Sequence, residues 1–221
     1  MRVLAFDATM AACSVALWCD GSVEASLCDP MVHGQAEALV PAVESVLKKA
    51  ARSYDALDRI AVTVGPGSFT GVRVGLATAR GLGVATECPV IGVLTTVVLA
   101  EEARLNGTDT KIAVAIDARR AELYVQCFDQ DGEAGRDPLC LLPTDAAKLL
   151  ERGAWRLVGD SAEKLSGLVS NEVKISGPVY PNATVLAAMA AQQPLPSAPP
   201  GPVYIRPPDA ALPKSGGRLR P

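Results

Sequence analysis

With 221 residues, 49% of them hydrophobic and 20% charged, the chain can bury one or two ordinary cores and falls outside the disordered class. Its net charge of −3, with basic residues scattered except at the extreme C-terminus, lacks the footprint of an independent nucleic-acid binder. Six cysteines without a C-x-x-C pair, most of them in apolar runs, and a single histidine indicate neither a disulfide framework nor a zinc site.

No basic-then-apolar leader pattern opens the chain, which reads as cytoplasmic. Leu4 to Ala8 and Cys13 to Cys19 read as two strands separated by a polar turn, and Asp20-Gly21 as a hairpin turn after them. His33 is the single histidine, and with Glu37 rather than a second histidine four residues on it is expected to cap or pack rather than hold a metal. Gln35 to Ala51 carries Leu39, Val43, Val46, Leu47 and Ala50 at helical spacing, with Lys48 and Lys49 at the end that favours cations. Pro41 implies either a regular helix starting near Val40 or an earlier helix kinked at the proline.

Ile60 to Val64 is a β-branched apolar run and reads as a buried strand, followed by a tight turn at Gly65-Pro66-Gly67. Ser68 or Thr70 then caps a helix running to about Gly83. Gly71, Gly75, Ala79 and Gly83 repeat every four residues and form one ridge nearly bare of side chains. Each helical glycine costs roughly 1 kcal/mol relative to alanine, so the ridge is expected to take a closely packed helix. Arg73 and Arg80 exclude a membrane helix here. The loop matches neither a Walker sequence, which needs Lys-Ser/Thr, nor a Gly-x-Gly-x-x-Gly fingerprint, and Ser68 lacks the flanking glycines of a nucleophile elbow.

The opening pattern recurs later. Val114 to Ala118, Leu123 to Phe128 and Asp131-Gly132 repeat strand, turn, strand and turn, with Asp117 in the place of Asp7. Two related α/β halves divided near Asn106-Gly107 follow from this repetition. From about Pro194 the chain is proline-rich and expected to be extended, with Val203-Tyr204-Ile205 able to dock as a strand. Lys214, Arg218 and Arg220 end a tail expected to be flexible and solubilising.

Asp7-Ala8-Thr9 with Cys13 to Leu17, His33 with Leu39 and Pro41, Gly65 to Arg73, Ile116 to Arg119, and Pro202 to Arg206 together resemble the TsaB (YeaZ) family. The resemblance spans nearly the whole chain, although residues 143 to 200 carry no clear signature. It implies a duplicated actin-like ATPase (ASKHA, ribonuclease H-like) α/β fold, with two subdomains of mixed sheets and flanking helices. These would be residues 1–106, carrying the dimerisation helices, and 107–221. It further implies a non-catalytic subunit that binds and activates a TsaD-type catalytic paralogue in forming threonylcarbamoyladenosine beside the anticodon of tRNA.

The implied partners are the TsaD-type subunit, a TsaE-type ATPase and, on the same surface, a second copy of the chain. tRNA would be reached only through the complex, with no membrane involved. ATP and a metal are expected in the partner subunits and no cofactor on this chain alone. A vestigial nucleotide site would be Asp7 and Thr9, since Met10-Ala11-Ala12 is not glycine-rich. The interface residues expected are Leu39, Val43, Gly71, Val72, Gly75, Leu76, Ala79 and Gly83, with Arg73 and Arg80 at the rim. Gly75→Leu is expected to leave the monomer folded and abolish pairing. The alternatives are an actin-like kinase or acyl transferase active alone, separated from the scaffold reading by ATP titration, and a peptidase, disfavoured by the solitary His33 and the misregistered Ser68.

Overall fold

The computed structural model describes residues 1–107 and 110–206. Strands β1 (Arg2–Asp7), β2 (Ala12–Cys19) and β3 (Ser22–Pro30) form an antiparallel meander. Its second turn uses Asp20 and Gly21, both at positive φ, the geometry that suits the twist of a two-residue hairpin. Helix α1 (Gln35–Lys49) leads to β4 (Arg59–Thr63), α2 (Phe69–Thr86), β5 (Val90–Val93) and α3 (Thr95–Leu105). β4 and β5 run parallel to β1, which completes a sheet of order β3-β2-β1-β4-β5.

The second half repeats this plan among the described residues. β6 (Lys111–Asp117), β7 (Leu123–Phe128) and β8 (Leu139–Leu141) pair antiparallel, then α4 (Pro143–Lys148), β9 (Trp155–Val158), α5 (Ala162–Ser166), β10 (Val173–Ile175) and α6 (Ala183–Gln192) follow. The order β10-β9-β6-β7-β8 is that of the first sheet with each strand replaced by its counterpart. Asp7 and Asp117 end equivalent central strands, opposite Ser14 and Leu123.

Both faces of the central strands are buried, so the alternation of side chains divides the core rather than exposing one face. Leu4 and Phe6 face α1 and α2, while Val3 and Ala5 face Leu186 and Ala187 of α6. The boundary at 106/107 parts the two sheets in sequence, but α6, from the C-terminal half, covers the N-terminal sheet. α3 in turn packs on β6, β7 and β9. Buried Arg156 fixes that exchange by donating to the carbonyls of Ala103 and Gly107 at the end of α3, at 3.0 and 2.7 Å.

Ser68 is the N-cap of α2, its hydroxyl accepting from the Gly71 amide at 3.1 Å. α1 begins at Gln35 and passes through Pro41, which lies on its exposed side. Val203 donates to the Val64 carbonyl at 2.8 Å, but residues 200–206 dock as an extended segment and form no strand. Lys214, Arg218 and Arg220 lie outside the described residues.

Candidate functional site

The glycine ridge of α2 faces the protein's own sheet. A β-carbon on Gly71 would lie 1.9 Å from the Ala8 carbonyl oxygen, one on Gly75 would lie 3.2 Å from Cγ2 of Val62, and one on Gly83 would lie 2.6 Å from Cγ2 of Val90. Val72, Leu76 and Ala79 are buried on the same side, as are Leu39 and Val43 of α1. The expectation that this ridge takes a second chain is therefore corrected: the tight approach is helix on sheet within the monomer. Gly75→Leu would overfill the core rather than spare it.

The side of α2 turned to solvent carries Arg73, Ala77, Arg80, Gly81, Val84 and Ala85. Ala77, Gly81 and Val84 share one helical stripe, and Val84 is 83% exposed. Neighbouring α1 adds Val40 and Pro41, both exposed. The outcome is a surface of short side chains on two adjacent helices, one residue or more away in phase from the positions expected. A β-carbon on Gly81 would meet nothing within 4 Å.

Asp7 and Thr9 are enclosed. The Gly65 to Gly71 loop lies across their turn, with the Ser68 amide donating to the Thr9 carbonyl at 2.7 Å and no room for a β-carbon on Gly67. Oδ1 of Asp7 accepts from the Thr9 amide, the Thr9 hydroxyl and the Thr63 hydroxyl, while Oδ2 has no partner among the described residues. Burial pushes this carboxyl up to about 6, against the lowering effect of the hydroxyl bonds. The buried cluster spaces the turn and offers no open cradle for phosphate. Asp117, its counterpart, accepts from the Arg119 amide at 2.9 Å and so closes its own turn.

His33 is exposed, and Gly34 occupies the cap position of α1 without a side-chain bond, so the expected capping or packing role does not hold. Among the described residues no group of three or more His, Cys, Asp or Glu side chains is placed to hold a metal. All six cysteines are free thiols. No helix there is long and apolar enough to cross a membrane.

The C-terminal segment, extended as its prolines predict, is held against α2 by side chains the sequence does not pair with it. Arg80 donates to the Pro200 carbonyl at 2.6 and 3.2 Å, and Arg73 donates to the Tyr204 hydroxyl at 2.9 Å. The Arg73 guanidinium also lies over the Phe69 ring, 3.5 Å from its centroid. Arg206 reaches the other lobe, bonding the Ala118 carbonyl and the Glu122 carboxylate. The Arg73 and Arg80 bonds join residues more than a hundred positions apart, and no spacing in the sequence announces them. Between α2, the 118–120 turn and residues 203–206 lies an open cavity of about 870 Å³.

Two sheets of identical strand order, each flanked by helices and exchanging their third helix, define the duplicated actin-like class. The chain matches the family described as "TsaD: tRNA N6-adenosine threonylcarbamoyltransferase" over residues 33–140. It is 44% identical over 134 residues to the tRNA threonylcarbamoyladenosine biosynthesis protein TsaB of Escherichia coli, covering 59% of this chain and 56% of that relative. YeaZ from Pseudomonas aeruginosa superimposes with a TM-score of 0.71 at 31% identity, covering 86% of this chain and 90% of that one. A second structure, described as an uncharacterized protein with similarity to peptidase YeaZ from Pseudomonas aeruginosa, gives 0.77 at 30% identity, with 93% and 99% covered. The chain belongs to the TsaB (YeaZ) family.

Proposed function

We propose that this chain takes part in forming threonylcarbamoyladenosine on tRNA as a non-catalytic subunit that binds and activates a TsaD-type catalytic paralogue. The observation that carries this is the solvent side of α1 and α2, where Ala77, Gly81, Val84 and Val40 leave two backbones open to close approach. Such a surface suits a second pair of helices packed across it. Arg73 and Arg80 are poor rim charges for that contact, because both already hold the C-terminal segment.

A catalytic role for the isolated chain is opposed by the enclosed Asp7 turn, which has no space for a nucleotide phosphate. On this reading ATP and metal belong to the partner subunits, a TsaE-type ATPase joins the assembled pair, and a homodimer on the same surface is the resting alternative. The test is to mix the purified chain with the TsaD-type subunit of the same organism and measure mass in solution by light scattering. A one-to-one complex supports the proposal. Two unassociated species, with or without ATP and tRNA, would refute it.

A further inference from the structure

Arg73, Ala77, Arg80 and Val84 recur at i, i+4, i+7 and i+11 and so occupy one face of α2, with Gly81 beside them. All are exposed. Two long cations therefore stand among the shortest side chains of the helix. Arg80 is three residues from Ala77 and four from Val84, and Arg73 is four from Ala77, spacings that put β-carbons roughly 5–6 Å apart. A guanidinium on its aliphatic stem covers that distance, so either arginine, left free, sweeps over the surface that Ala77 and Gly81 leave bare.

Neither does so in the folded chain. Arg80 is turned sideways, its Nε and Nη2 both donating to the Pro200 carbonyl, at 3.2 and 2.6 Å. Pro200 is seated against the edge strand β5, where a β-carbon on Gly92 would lie 2.5 Å from the proline Cβ. The acceptor is thus fixed beside the helix. Arg73 is folded back one turn toward the start of α2, its guanidinium over the Phe69 ring and its Nε donating to the Tyr204 hydroxyl. Both acceptors are themselves held: the Val203 amide bonds the Val64 carbonyl, and Arg206 ties the end of the segment to Ala118 and Glu122.

We propose that residues 200–206 are a tether that holds Arg73 and Arg80 off the stripe of Ala77, Gly81 and Val84, so that the helices of a TsaD-type partner can approach α2. The inference rests on the functional reading above. A free arginine under an incoming helix loses water and rotamer freedom, or is left without an acceptor, and each outcome weakens pairing. The tether removes that cost within the monomer, before the partner arrives. Direct contact between the segment and the partner is the rival explanation, and it makes the opposite prediction for loss of the arginines.

The test measures affinity for the TsaD-type subunit by isothermal titration calorimetry, with the full chain. The release variant Val203→Pro/Tyr204→Phe/Arg206→Ala removes the bond to Val64, the acceptor of Arg73 and both contacts with residues 118 and 122, leaving the exposed Arg80 bond alone to hold the segment. It is expected to bind about tenfold more weakly. Arg73→Ala/Arg80→Ala removes what the tether restrains and is expected to bind as the parent does. The five substitutions together are expected to restore the parent's affinity. Parental binding by the release variant, a defect that persists once the arginines are gone, or a loss on Arg73→Ala/Arg80→Ala alone would overturn the inference. Should the release variant not fold, as read by its far-ultraviolet spectrum, the arginine pair still decides: unchanged or tighter binding supports the tether, and weaker binding refutes it. Failure of the unaltered chain to bind the TsaD-type subunit strikes the functional reading beneath, whereas contrary results from the variants with binding by the unaltered chain refute this inference alone.

Discussion

Gly71 and Ala8 meet backbone to backbone: a β-carbon on Gly71 would stand 1.9 Å from the Ala8 carbonyl oxygen. The first turn of α2 is thereby seated on the turn after β1, and no side-chain rotation can relieve an added methyl group. Gly71→Ala should destabilise the protein by about 2–4 kcal/mol. Gly75→Ala meets only Cγ2 of Val62, at 3.2 Å, and regains roughly 1 kcal/mol of helix propensity. Its net effect should stay within about 1 kcal/mol. Urea denaturation of the two variants checks this, and equal losses would contradict it.

Asp7 makes stability depend on pH in an unusual direction for a carboxylate. Its folded pKa, about 6, lies above the ordinary value because burial favours the neutral acid. The neutral acid's advantage is complete below about pH 4 and is lost as pH rises through 6, amounting to on the order of 3 kcal/mol by pH 7.5. Asp7→Asn cannot ionise. The stability of the parent minus that of Asp7→Asn should therefore fall between pH 4 and 7, as read by denaturant midpoints. Parallel profiles would show that Asp7 does not titrate in this window.

The C-terminal segment is held by side chains of α2 more than by backbone pairing. Replacing Arg80 with alanine frees the Pro200 carbonyl, and Tyr204→Phe removes the acceptor of Arg73. Each bond is charge-assisted but solvent-exposed, so a loss of about 1 kcal/mol is expected. Amide hydrogen exchange at Val203, whose N–H bonds the Val64 carbonyl, should quicken severalfold in either variant. Amides within β4 should keep their rates.

How much could be read beforehand follows from the range of each signal. The Asp20-Gly21 hairpin, the Ser68 cap and the buried β4 run are set by neighbours in sequence, and all stand where their residues predicted them. The duplication was legible because two strand–Asp–turn–strand patterns recur, and the matching sheet orders bear it out. The direction of the α2 ridge was not, since a helix and a sheet demand the same small residues at close approach. Only burial distinguishes Gly75, against Val62, from Gly81, against nothing. The exchange of α3 and α6 and the Arg80 to Pro200 bond join residues far apart in the chain, and neither leaves a periodicity to find.

The solvent side of α2 is the centre of the functional account, and Gly81→Leu probes it with least disturbance to the monomer. Open space surrounds the position, and leucine is the better helix former. Sedimentation velocity of each form mixed with the TsaD-type subunit is the decisive measurement. The unaltered chain should form a heterodimer, whereas Gly81→Leu, with an unchanged far-ultraviolet spectrum and melting temperature, should sediment as separate subunits. A folded Gly81→Leu chain that binds its partner as tightly as the parent would contradict the account.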